Sequence, residues 1–275
     1  MKAKNKFDKY RYYFLKRSEI FVHGLNKSQI EGRKMGPKVI LNSLPKSGTH
    51  LLESLFLQMP LMRHSGRKTL RIETQNPIRR RLKTIASLKK GQFLLGHLQY
   101  DESILQTTNA RDIKIIHLIR DPRDVLISHL NYVERMDVTQ KSHKFISQFD
   151  NRKDKLKAMM KGKEGVLEPF PVVLNKFQPW VDQNDVLCIK FEDLIGANGG
   201  GSNQKQTEAV KRICEFISIE VDADQLHDIC QKIYSPKSST FNKGKIGNWK
   251  NVLNVDEKEW LNEVIKNEIN EYSYS

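Results

Sequence analysis

The chain has 275 residues, 38% of them hydrophobic, and carries a formal charge of +15. That length suits one large α/β domain and that apolar share suffices for a core, which argues against wholesale disorder. Three cysteines (Cys188, Cys214 and Cys230) without C-x-x-C spacing give no disulfide framework and no zinc site, and no apolar run approaches a membrane span.

Residues 1–35 are a basic segment with Lys2, Lys4, Lys6, Lys9, Arg11, Lys16 and Arg17, and the folded domain is expected over 36–275. The segment lacks the apolar stretch of a secretion leader, so cytoplasmic residence is expected by elimination. Such charge favours an anionic partner, whether nucleotide, nucleic acid, anionic lipid or sulfated glycan, although a solvated surface explains it equally well. Strands are predicted at 39–41, 92–95, 113–119 and 186–191, each a short β-branched or aromatic run closed by a polar turn. Helices are predicted at 49–58, 124–133, 207–217, 222–233 and 256–269, the last two beginning near an N-capping Asp. Residues 66–91 carry no firm signal and read as a lid or insertion, while 196–206 (GANGGGSNQKQ) reads as a surface loop. Alternating strands and amphipathic helices predict a single α/β domain with a central parallel sheet flanked by helices.

The sharpest feature is the run from Leu41 to His50, LNSLPKSGTH. A strand enters a Ser- and Gly-containing turn and an amphipathic helix begins at once, which aims free amides and the positive helix end at one point. Lys46 adds a mobile charge, and Ser47 and Thr49 add hydroxyls, so the turn reads as a phosphate cradle. An ATP- or GTP-binding loop would carry G-x-x-x-x-G-K-[ST]; here Lys46 precedes Gly48 and no glycine stands five residues before it. The strand at Ile113–Ile119 ends in Arg120, not in an acidic residue that would help hold magnesium, so no metal is expected. Arg120 would reach the carboxyl edge of the sheet, where open α/β sheets bind ligands, with Ser128 on the helix that follows. Pairing of Arg120 with Asp121 or Asp124 is the plain structural alternative.

Three segments carry a family resemblance. Pro45-Lys46-Ser47-Gly48-Thr49 resembles the 5′-phosphosulfate loop of sulfotransferases that use 3′-phosphoadenosine-5′-phosphosulfate (PAPS). IRDPRDVLIS (119–128) is similar to that family's 3′-phosphate signature, and KGKIGNWKN (243–251) to its C-terminal K-G-x-x-G-D-W-K-N loop. The segments follow the family's order across 45–251. The resemblance implies a P-loop-like sulfotransferase fold that transfers a sulfonate from PAPS to a small-molecule hydroxyl or amine, releasing adenosine 3′,5′-bisphosphate (PAP). It assigns Pro45, Lys46, Ser47, Gly48, Thr49 and His50 to the phosphosulfate, Arg120, Ser128, Lys243 and Gly244 to the 3′-phosphate, and Phe191 to the adenine. The chain departs from the pattern at Asn242, Leu51, Phe191 and Asn248, where Arg, Trp, Tyr and Asp are usual, which puts donor contacts in question more than the reaction.

For the reaction, Lys46 with Ser128 nearby is expected at the leaving phosphate. His97, after the second strand, is the first candidate for the base, as in family members with a histidine in a comparable place; a hydrogen-bonded structural histidine is its alternative. Glu53, two helical turns beyond Lys46, is the rival base, with a solvated helix carboxylate as its alternative. His50, His117 and His129 read as structural with respect to proton transfer. Residues 250–259 are similar to a dimer motif of cytosolic sulfotransferases, with Asn254 in place of Thr, and suggest a homodimer. A polysaccharide acceptor is the main rival to a small molecule, because the basic stretch Arg63, Arg67, Lys68, Arg71, Arg79, Arg80, Arg81 and Lys83 could track an anionic chain. A nucleic-acid-binding module is the rival from another class, but it would need no ordered loop around Lys46. The acceptor side is expected from variable loops, namely residues 1–35, 59–91 and 133–171.

Overall fold

Alternation along the strands decides the architecture. In the computed structural model, Val39, Leu41, Phe93, Leu95, Ile116 and Leu118 lie in one apolar cluster, while Ile40, Leu94, Ile115 and Ile119 lie in another. Strands buried on both faces need helices on both, which is the condition for a parallel sheet. The structure describes residues 27–71, 77–135, 138–233 and 245–274. The assignments to Lys243 and Gly244, and the basic run Lys2 to Arg17, lie outside them.

The strands are β1 (Lys38–Ser43), β2 (Arg63–His64), β3 (Leu70–Arg71), β4 (Gln92–His97), β5 (Ile113–Ile119) and β6 (Val186–Lys190). They pair in the order β2-β4-β1-β5-β6, with β3 also on β4, and every pairing is parallel. The order reverses at β1, so β1 and its neighbours β4 and β5 open a crevice at their carboxyl ends.

The first helices are α1 (Lys27–Met35), α2 (Thr49–Gln58), α3 (Ile78–Ala86), α4 (Glu102–Ala110), α5 (Pro122–Arg135), α6 (Lys141–Ile146) and α7 (Arg152–Lys161). They are followed by α8 (Phe170–Phe177), α9 (Phe191–Leu194), α10 (Asn203–Phe216), α11 (Ala223–Ile233), α12 (Asn248–Val252), α13 (Val255–Val264) and α14 (Lys266–Glu271). Leu52, Leu55 and Phe56 of α2, Val210 and Ile213 of α10, and Ile229 of α11 cover one face. Leu126 and Leu130 of α5, Phe170 of α8, Leu261 of α13 and Ile269 of α14 cover the other.

Four expectations need correction. Residues 66–91 hold β3 and α3, whose Ile78, Leu82 and Ile85 pack on the core while Arg79, Arg80 and Lys83 stay exposed. The arginine run hides that helical spacing in the sequence. Residues 196–206 are not one loop, because α10 begins at Asn203 with the Ser202 side chain accepting from the Lys205 amide. Buried Gln206 ties the segment down by donating to the Leu194 carbonyl at 3.0 Å. The final helix is two, α13 and α14, broken at Ile265, and residues 141–161 are largely helical where a variable loop was expected.

Candidate active site

The turn after β1 is built from left-handed backbone. Lys46 has φ +76° and Gly48 φ +105°, and Gly48 caps α2 without any side chain bonding the helix end. First-turn amides lack intrahelical acceptors, so this end offers N–H donors and the positive dipole to an anion. Ser43 and Thr49 share a 2.7 Å hydroxyl contact across the turn, and the Ser47 amide donates to the Leu44 carbonyl at 3.2 Å. The buried Ser47 Oγ has no hydrogen-bond partner among the described residues. Only glycine fits at 48, where a Cβ would fall 2.5 Å from Phe191 Cδ2. Phe191 thus forms a buried wall beneath the turn, and the Arg120 guanidinium also lies against it, its Cζ 4.4 Å from the ring centroid.

Lys46 Nζ lies 4.4 Å from the centroid of Tyr132, a residue of α5. Burial holds its pKa below the usual lysine value, and repulsion from Arg135, Arg120 and Arg71 acts in the same direction. An anion in the turn relieves that repulsion.

Arg120, where β5 ends, is 8% exposed. Its Nη2 donates to the Lys245 carbonyl at 3.1 Å and approaches Asp124 Oδ2 at 3.4 Å, and its Nε is buried without a partner among the described residues. The Asp124 alternative therefore holds, but it does not exhaust the guanidinium. Asp124 accepts from the Gly247 amide at 2.8 Å and the Trp249 amide at 2.9 Å, so it latches the C-terminal segment to the start of α5. Arg123 braces the same junction: it grips Asp121 and lies 4.3 Å from the Trp249 centroid. Glu192 adds a third tie, accepting from the Asp121 amide at 3.1 Å and the Tyr274 hydroxyl at 2.6 Å. Ser128 lies on α5, half-buried, two turns beyond Arg120.

His97 closes β4. Its Nδ1 is 2.9 Å from the Ser43 carbonyl, which can only accept, so Nδ1 carries the proton and Nε2 keeps its lone pair. Burial lowers its pKa to about 4, opposed by the Ser43 hydrogen bond and assisted by Arg71, His50 and Lys46. Asn42 of β1 holds the next residue, accepting from the Leu98 amide at 2.8 Å and donating to the Leu98 carbonyl at 2.9 Å. Sequence reasoning passed over Asn42. A buried amide inside an apolar strand was the available signal.

Glu53 is not a solvated carboxylate. It is 3% exposed, with Oε2 3.1 Å from His50 Nδ1 and Oε1 4.0 Å from His64 Nε2. Burial lowers His117 to about 3 and His129 to about 4. His117 is fully buried, with Asn42 Nδ2 3.2 Å from its Nδ1. Among the described residues no three His, Cys, Asp or Glu gather into a metal-binding group, and no helix is long and apolar enough to cross a membrane.

The turn, the Arg120 junction and His97 thus converge at the carboxyl ends of β1, β5 and β4. Known proteins are similar to this chain in sequence or in fold. Human sulfotransferase 4A1 is 23% identical over 234 residues, covering 81% of this chain and 76% of its own. Zebrafish sulfotransferase 6B1 is 24% identical over 187 residues, 62% of this chain and 57% of its own. Mouse sulfotransferase SULT7A1 complexed with PAP superposes with a TM-score of 0.60 at 17% identity, covering 90% of this chain and 91% of its own. Retinol dehydratase in a complex with retinol and PAP gives 0.54 at 15%, covering 88% and 86%. The family described as "Sulfotransferase domain" matches residues 36–273, and the chain belongs to the PAPS-dependent sulfotransferase family.

Proposed function

We propose that the chain transfers a sulfonate group from PAPS to a hydroxyl or amino group of a small molecule, releasing PAP. The observation that carries this reading is the convergence on Ser43. Its carbonyl fixes the His97 tautomer, and its hydroxyl pins the first residue of the helix that opens the anion cradle.

Sulfonate transfer resembles phosphoryl transfer, where positioning and charge stabilisation supply most of the catalysis. The turn from Pro45 to His50 holds the phosphosulfate through amides and hydroxyls. Lys46 swings from Tyr132 to neutralise the leaving phosphate, with Ser128 beside it. Arg120 and Ser128 hold the 3′-phosphate, joined by Lys243 and Gly244, and Phe191 supports the donor from below. His97 Nε2 accepts the acceptor proton. PAP in the mouse and retinol dehydratase structures, which share the fold, supports this use of the crevice.

Thermal unfolding with PAP, with ATP and magnesium, and with an oligonucleotide tests the reading. Stabilisation by PAP alone is expected, and stabilisation by ATP or oligonucleotide instead overturns it. A labelled-donor screen of alcohols, phenols, amines and polysaccharides then separates the small-molecule reading from a glycan one. The acceptor-side expectation for residues 1–35 does not extend to 27–35, which form α1 and pack beside Met59 and Leu61 at the amino end of β2. It is kept for the remaining residues, and the enzyme is assigned to the cytoplasm, tested by truncation and by fractionation. A homodimer through 250–259 is proposed on Val255, 67% exposed beside the Asn254 cap, and sedimentation checks it.

A further inference from the structure

An in-line displacement brings the nucleophile in opposite the leaving group. With the donor's phosphates on the β1 turn and the β5 end, the acceptor approaches over β4 and the strand beyond it. Arg71 of β3 stands there, paired in parallel register with His97. Paired residues share a face of the sheet on strands about 4.8 Å apart, so Arg71 and His97 flank one approach. The opposite side comes from α5, where Ser128, Tyr132 and Arg135 follow at helical spacing on one face. Tyr132 contacts Lys46, and Arg135 lies about 10 Å further along the axis than Ser128.

Arg71 and Arg135 are both exposed, and neither forms an ion pair among the described residues. Among the described residues, Glu134 beside Arg135 is engaged with Lys155 at 2.9 Å, and Glu53 lies against His50 at 3.1 Å. Both arginines also repel the Lys46 ammonium, so their fields reach the transfer centre. Among the described residues no carboxylate pairs with either arginine, and a guanidinium fork matches a carboxylate, phosphate or sulfate on the acceptor.

Resting on the sulfonate-transfer reading, we infer that the acceptor carries an anionic group of its own near the atom that is sulfonated, recognised by Arg71 and Arg135. The same chemistry is present on a small acid or on an acidic glycan. Arg67, Lys68, Arg79, Arg80 and Lys83, on the segments either side of Arg71 in the chain, are exposed and would serve a longer anionic chain.

The test uses the full chain with labelled PAPS. Hydroxybenzoates and aminobenzoates are compared with their methyl esters, and chondroitin with carboxyl-methylated chondroitin. Acids are expected to exceed esters in kcat/KM by about tenfold or more, the size of one charge-assisted hydrogen bond, with the ratio shrinking as salt rises. Arg71→Gln and Arg135→Gln each narrow that ratio, and stabilisation of both variants by PAP shows that they fold. Turnover of chondroitin above the benzoates assigns the anion to a glycan, and the reverse assigns it to a small acid. Saturation-transfer NMR of the benzoates and esters with the PAP complex makes the same comparison without turnover. Equal or better use or binding of the esters overturns the inference and leaves sulfonate transfer standing. Failure of PAP to stabilise the protein, with no acceptor turned over, overturns the underlying reading instead.

Discussion

His97 Nδ1 donates to the Ser43 carbonyl at 2.9 Å, and this bond couples the proposed base to the strand that leads into the turn before α2. A base positioned in this way is expected to contribute about 100- to 10,000-fold. His97→Ala should lose turnover on that scale while PAP binding, followed by calorimetry, changes little. The free enzyme's pKa near 4 also sets the pH profile of kcat/KM for the donor. The unprotonated base persists as pH falls through 6.5, and its acid limb appears only near 4. A limb at 6.5 would mean that the ring is not held as the structure has it. The stability sign follows from the same shift: the unfolded chain binds the proton first, so stability is full above 6.5 and declines as pH falls towards 4.

Glu53→Gln separates the two candidate bases. The carboxylate is buried against His50 and His64, so its removal should disturb the start of α2 more than proton transfer. The expected loss in kcat is about tenfold or less, far below that of His97→Ala. Steady-state assay of both variants decides. A dead Glu53→Gln beside an active His97→Ala transfers the role of base to Glu53.

The core strands and the cradle were legible because each depends on a few neighbouring residues. A βα turn with Lys46, Ser47 and Gly48 declares free amides whatever surrounds it. The latch between Asp124 and Trp249 was not legible, since it joins residues far apart in the chain through backbone amides that leave no trace in composition. Glu53 was misjudged for a related reason. Helical spacing shows the face on which a carboxylate lies, but not that it is 3% exposed, nor that β2 brings His64 to 4.0 Å from it. In α3, Arg79, Arg80 and Arg81 obscured an apolar stripe of only three residues.

Gly48→Ala places a Cβ 2.5 Å from Phe191 and fixes a side chain at φ +105°. The left-handed backbone alone costs about 1–2 kcal/mol, and the aromatic neighbour is held in place by Arg120. The turn should reshape, lowering PAP affinity by about tenfold or more, a loss of about 1.4 kcal/mol. Phe191→Leu in the same chain relieves the clash but not the backbone strain, so it should restore only part of the affinity. Full restoration by the double change would locate the whole defect in the clash.

Asp124 tests whether the C-terminal segment is part of the donor site or a separate cover. Its two oxygens hold the Gly247 and Trp249 amides while Oδ2 faces Arg120, and burial raises its pKa despite the attraction of that guanidinium. Asp124→Ala leaves a buried arginine and two amides without their acceptor, a change expected to cost about 3–5 kcal/mol. In a chain of this size that lowers Tm by roughly 10 °C. Asp124→Asn keeps one acceptor oxygen, so it should fall between the wild type and Asp124→Ala in Tm. If the segment belongs to the site, PAP affinity follows the same order, because Arg120 and the Lys245 carbonyl lose their alignment together. Scanning calorimetry with and without PAP reads both quantities, and an Asp124→Ala protein that melts early yet binds PAP normally would show that the segment only covers the fold.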